Sequence, residues 1–156
     1  MEPNFLDIAL PTVPTSRLER PGFSFDMPQG AALAEFSTGE AAHLRLIMTQ
    51  GGISYRVEIE KWSSDSAKAA TERAFKSADK GYADQNLAPH PLDLPGLEAW
   101  RMRKRFVDGF TAGPLNDAVF LQKGAAIYRL SYSAPLEAYP AGLWLLVMVV
   151  KSFKIT

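Results

Sequence analysis

Residues able to do chemistry are few in this sequence and widely spaced. There is no cysteine and there are two histidines, His43 and His90, so thiol nucleophiles, thiolate metal sites and disulfides are excluded. The sequence contains no Gly-x-Ser-x-Gly elbow, no dinucleotide or Walker-type phosphate loop and no His-Glu-x-x-His. His43 opens a strand-like run and His90 lies between Pro89 and Pro91, with a strand, a hairpin and a helix separating them, so both read as ordinary surface residues. A zinc site would need a further ligand from the carboxylates, and no spacing supplies one. Neither a metal nor a cofactor is expected. Glu58 and Glu60 alternate on one strand face, roughly 6–7 Å apart by strand rise, a separation that glycosidases use. Beside arginines they read instead as cross-strand ion-pair partners, and pairing favours the charged carboxylate, the wrong direction for a general acid.

Arginine is the residue with an unusual distribution. Arg45, Arg56, Arg101, Arg103, Arg105 and Arg129 fall on strand-like runs, whereas Lys68, Lys76 and Lys80 fall on a helix-like one. Where alternation is cleanest, Arg56, Arg101, Arg103, Arg105 and Arg129 oppose the larger apolar residues of their own strands. If those strands are neighbours, one basic sheet face follows, interspersed with Glu58, Glu60 and Glu98. Such a face is either a solvated, salt-bridged surface or one that receives an acidic group or a partner's strand or helix. The five arginines are the candidate binding residues.

The elements that must hold them follow from periodicity. Residues 1–21, with Pro3, Pro11, Pro14 and Pro21, read as an extended arm, in which Phe5, Leu6, Ile8 and Leu10 could alternatively add an edge strand or dock on a partner. A single domain, 22–156, follows it. Gly22–Pro28 alternates as a first strand, and Leu33 to Ser37 can pair briefly before Gly39. Leu44, Leu46 and Met48, then Gln50–Gly51–Gly52, then Ile53, Tyr55, Val57 and Ile59 form the clearest hairpin, with each set expected on one face. From Ser63–Ser64–Asp65 the period becomes helical, with an alanine stripe, Phe75 and Tyr82 as larger anchors, a Glu72–Lys76 pair and Gly81 as the stop. Leu87 to Gly96, with three prolines, reads as a rigid loop. A long strand through Trp100 to Phe106 and two more around Lys123–Gly124 complete about six strands.

The last element is the continuous apolar run Leu143 to Val150. At roughly 1.5–3 kcal/mol per large side chain it must be buried. Its pattern alone leaves a central strand open, but Pro140 suits a first helical turn and Lys151 a last one, which favours a helix packed on the sheet. It is too short for a bilayer, which needs about 20 apolar residues. Lysine plus arginine equals aspartate plus glutamate, 17 each, which removes the bulk electrostatic argument for nucleic acid. The acidic, proline-bearing N-terminus does not resemble a secretory leader, so a cytoplasmic address is expected unless a leader has been removed.

The opening Gly22–Phe23–Ser24–Phe25–Asp26–Met27–Pro28, the hairpin, helix and meander, and a closing helix running into Val150–Lys151–Ser152–Phe153 together resemble the PsbP-like superfamily, which includes bacterial DcrB-type proteins. The resemblance implies an α+β fold, an antiparallel sheet with a mid-chain and a C-terminal helix packed on it. It further implies an accessory or binding protein rather than an enzyme. One branch comprises cytoplasmic chaperones of secretion effectors, and no residue motif assigns this chain to it. The expected function is therefore a protein-binding module or chaperone-like adaptor with a protein or peptide partner. The alternative is a small-molecule or lipid carrier with Trp62, Trp100, Tyr128, Tyr132 and Trp144 lining a pocket under the closing helix.

Overall fold

The computed structural model describes residues 4–36, 42–77, 86–108 and 111–156, with the side chains of 77, 106–108 and 111–113 excepted. The expected helix stop at Gly81, its anchor Tyr82, the turns at Gly39 and Gly109 and the Phe106 side chain lie outside the described residues. The fold is α+β: two helices and two antiparallel sheets with more strands than expected. The larger sheet has the order β3(Ala32–Glu35), β4(His43–Gln50), β5(Ile53–Trp62), β9(Ala126–Ala134), β8(Thr111–Lys123), β7(Leu97–Asp108), β6(Leu87–Leu94). The smaller has the order β1(Thr15–Arg20), β2(Phe23–Pro28), β10(Lys154–Ile155).

The β4–β5 hairpin forms as the sequence predicts. Gly51 and Gly52 both take positive φ, 57° and 78°, as a tight turn between right-twisted strands requires. Leu44, Leu46, Tyr55, Val57 and Ile59 are buried on one face. Two segments differ from expectation. The proline-rich 87–94 stretch is a strand, β6, with a register shift between Leu87 and His90. It pairs only with β7, at the rim of the sheet, where a residue lacking N–H removes no ladder bond. The N-terminal arm is likewise structured. Phe5, in the 3-10 turn Phe5–Asp7, is buried, and Thr15–Arg20 forms β1 against β2.

The helix α1(Ala67–Ser77) follows Ser66, whose hydroxyl accepts from the Ala69 N–H at 3.0 Å. The capping residue is thus Ser66 rather than the three residues before it. Ala67 and Ala70 face the sheet and pack with Met102, Ala118, Phe120 and Ile127. The Lys104 ammonium reaches the Phe75 carbonyl in the helix's last turns, which satisfies an acceptor left open there.

The helix α2(Tyr139–Ser152) carries the apolar run, with Pro140 in its first turn. Every residue from Gly142 to Val150 is buried. An all-round apolar helix must be covered on all sides, and here β5 and β9 of the larger sheet and β2 of the smaller one pack against it. Phe23, Phe25 and Phe153 stack near-parallel, with centroids 5.6–6.3 Å apart. Arg17 donates to the Ser152 carbonyl at 2.7 Å and to Asp26 at 3.0 Å, placing a cation at the negative end of α2. Among the described residues no helix is long and apolar enough to cross a membrane.

The helix lies close against the sheet at Gly142, where an added Cβ would penetrate Tyr55 Cδ1 and crowd the Tyr132 hydroxyl. Gly142→Ala is expected to destabilise the fold by about 1–3 kcal/mol through overpacking, read as a lowered urea midpoint at unchanged slope; an unchanged midpoint would show that this close approach is not a constraint.

Candidate functional site

The two faces of the larger sheet are covered by different helices over different strands. On β4, β5 and β9 the large apolar residues point to α2, so Arg56 and Arg129 point away from it. On β7 Trp100 and Met102 lie on the α1 side with Phe120, so Arg101 and Arg103 point to the α2 side. The single basic face expected from the sequence is therefore split.

Arg101 and Arg103 are buried, at 6% and 8% exposure, around Asp117 at 0%. Arg101 grips Asp117 through two bonds, Nε to Oδ1 at 2.9 Å and a terminal nitrogen to Oδ2 at 2.6 Å. The Tyr139 hydroxyl donates to the same carboxylate, the Arg103 guanidinium lies 5.5 Å from the Tyr139 ring centre, and Phe5 covers Arg101 at 4.3 Å. Burial opposes the Arg101 charge, but the bonds and field of Asp117 outweigh it and raise its pKa further. Burial chiefly, then the Asp117 charge, pushes the Tyr139 phenol well above its ordinary value. Burial, with Tyr55 next, does the same to Tyr132. Tyr132 donates to the Tyr139 carbonyl at 2.9 Å. This cluster anchors the start of α2 to the sheet and is closed to a ligand.

The open surface lies on the opposite face. Where α1 stops covering the sheet, a trough of about 690 Å³ runs over β5, β9 and β8 towards the loop that precedes α2. Arg56, Glu58, Asn116, Arg129, Ser131 and Ser133 line it, all placed on one face by the register Arg56↔Ser133, Glu58↔Ser131 and Asn116↔Ser133. Arg105 and exposed Leu136 also border it. Arg129 lies 5.2 Å from the Trp62 ring at the α1 end. Two polar atoms of the lining, Arg129 Nε and Asn116 Oδ1, are shielded from water and make no hydrogen bond among the described residues. Of the five arginines singled out from the sequence, Arg56 and Arg129 meet on this surface with Arg105 beside them, while Arg101 and Arg103 do not.

Next to the trough the sheet brings together residues that sequence spacing did not connect. His43 pairs across β4 and β5 with Glu60, and Arg45 with Glu58. Arg45 holds Glu58 by two bonds to Oε1, 2.9 and 2.6 Å, as the ion-pair expectation for these glutamates requires. Glu60 lies across from Arg129 in register, yet its carboxylate leans to His43, 3.8 Å from Nε2. His43, Glu58 and Glu60 can each direct one donor atom to a common point. His90, by contrast, lies on β6 at the far edge of the sheet. The five aromatics proposed to line one carrier pocket are also divided: Trp62 and Trp100 pack under α1, Tyr128, Tyr132 and Trp144 in the α2 core.

No protein-family model matches the sequence, and no curated protein matches it. Solved structures do match. The chain superposes on the PsbP of Synechocystis sp. PCC 6803 (CyanoP) with a TM-score of 0.62 at 14% identity, covering 96% of both chains. It superposes on LpqN of Mycobacterium tuberculosis, described as involved in cell envelope biogenesis, with a TM-score of 0.55 at 14% identity, covering 94% of this chain and 92% of that one. The fold is thus PsbP-like over nearly the whole chain, as the sequence resemblance implied.

Two outcomes follow from the buried cluster. Asp117→Ala leaves Arg101 as an uncompensated buried cation and is expected to cost about 3–5 kcal/mol of stability by urea unfolding. Tyr132 and Tyr139 stay neutral in the fold while their unfolded counterparts ionise near 10.0. The unfolded state then binds fewer protons, so stability is level below about pH 10 and falls above it, by up to ~1.4 kcal/mol per pH unit for each tyrosine. Tyr139→Phe should flatten that alkaline limb; an equally steep limb would remove Tyr139 from it.

Proposed function

We propose that this is a non-catalytic accessory protein that binds an extended, acidic segment of a polypeptide partner in the trough beside α1. The observation that carries the reading is the uncovered trough of about 690 Å³ itself, lined by Arg56 and Arg129 together with Asn116, Ser131 and Ser133. A peptide segment offers both carbonyl acceptors and N–H donors. Its acidic side chains suit Arg56 and Arg129, which form no ion pair within the described residues and whose planar guanidinium groups match carboxylates. Ser131 and Ser133 supply further donors, and Leu136 an apolar contact at the rim.

The likeness to CyanoP and to LpqN suits an accessory role exercised by contact. The chaperone-like form of the reading, in which the bound segment belongs to a secretion effector, rests on the sequence resemblance alone.

The test is capture of partners by the full chain, followed by hydrogen-exchange mapping of the complex. Protection is expected at residues 54–58 and 129–133. The Arg56→Glu/Arg129→Glu double variant should lose at least about tenfold in affinity, ~1.4 kcal/mol, while keeping the urea midpoint of the parent. Partners retained at full affinity by the double variant, or protection confined to other surfaces, would overturn the assignment.

A further inference from the structure

We infer that His43, Glu58 and Glu60 form a binding site for one divalent transition-metal ion of the zinc class, built on the β4–β5 hairpin at the edge of the trough. The inference stands apart from the partner reading, because the ion requires only the hairpin.

The first ground is distance. His43 Nε2 lies 3.7 Å from Glu58 Oε1 and 3.8 Å from Glu60 Oε1, and the three donors all lie within 4.8 Å of one another. Both contacts are longer than hydrogen bonds. Donors that share a tetrahedral zinc at about 2.0–2.2 Å sit ~3.3–3.5 Å apart, so the two histidine contacts need contract by only a few tenths of an ångström, and the two glutamate oxygens, within 4.8 Å of each other, by at most about 1.3 Å, to place three ligands on one ion. One imidazole nitrogen and two carboxylate oxygens are a donor set that zinc accepts, and they leave a fourth position open.

The second ground is support. The donors stand on two strands joined by a two-residue turn, so backbone pairing rather than side-chain search sets their spacing. All three side chains are half-buried. Arg45 fixes the Glu58 carboxylate through its two bonds to Oε1, the same oxygen that faces His43, so an ion at this point shares or displaces that guanidinium contact. The Phe36 ring lies 5.3 Å from the His43 ring and 4.9 Å from the Arg45 guanidinium, an apolar wall on one side. Two carboxylates offset the charge of a divalent ion, while the Arg45 charge works against it. The site therefore belongs with exchangeable zinc sites and not with permanently filled structural ones.

The experiment is calorimetric titration of the full chain with zinc chloride in a non-coordinating buffer near neutral pH, with extended X-ray absorption of the zinc-loaded protein. One zinc per chain is expected, with nitrogen and oxygen neighbours at about 2.0–2.2 Å and no sulfur. His43→Gln and Glu60→Gln should each weaken binding by at least about tenfold, whereas His90→Gln should leave it unchanged. Circular dichroism of each variant separates loss of the site from loss of the fold. An absence of binding heat, binding that survives His43→Gln and Glu60→Gln in folded protein, or binding lost in His90→Gln would each overturn the assignment. The trough variant Arg56→Glu/Arg129→Glu should still bind zinc, so the failure of one reading is distinguishable from the failure of the other.

Discussion

A helix that is apolar around its whole circumference cannot be stable against one sheet, and this constraint shapes the rest of the chain. Leu143 to Val150 present large side chains in every direction, and a single sheet face would leave half of them in water. The missing cover comes from the two ends of the sequence. β2 supplies Phe23 and Phe25, and Phe153 follows directly from the helix and stacks on both. β1 flanks β2 on one edge and β10 on the other. Arg17 then ties β1 to the last turn of α2 through the Ser152 carbonyl. The small sheet therefore exists because the closing helix needs a second side, and at Gly142 that helix lies close against the first.

Enclosing α2 consumes one face of the large sheet, which leaves the other face for α1 and for any partner. α1 is short and its inner stripe is alanine, and it packs over β6, β7 and β8 with Met102, Ala118 and Phe120 beneath it. β7 accordingly turns its apolar residues towards α1 and its arginines inward. That exchange is the physical origin of the buried Arg101–Asp117 pair. A guanidinium forced to the core side is tolerable only with a carboxylate bonded to it at two points. The same arrangement leaves β5 and β9 with polar residues facing an uncovered surface, which is the trough.

Local alternation in the sequence carried most of the elements. The glycine pair at 51–52, the opening strand at Phe23–Pro28 and the helix from Tyr139 all stand where the pattern puts them. β1 and β6 were hidden because proline signals a break locally, whereas an edge strand spends N–H groups that no neighbour uses. For the site, alternation says which residues share a face of one strand but not which side of the sheet that face looks to. Arg56 and Arg129 were thus correctly placed together, and Arg101 and Arg103 were not separable from them without knowing where α1 lands. The meeting of His43 with Glu60 was legible in principle. A two-residue turn pairs Gln50 with Ile53, and counting seven residues back along each arm reaches these two. What obscured it was judging the histidines by their separation from each other instead of by their place in the hairpin.

Glu58 lies between the trough and the histidine of the β4–β5 hairpin. Its side chain borders the trough, its Oε1 is held by Arg45, and the same oxygen faces His43. In a chain whose formal charges cancel, recognition depends on local fields, and this carboxylate sits where they meet.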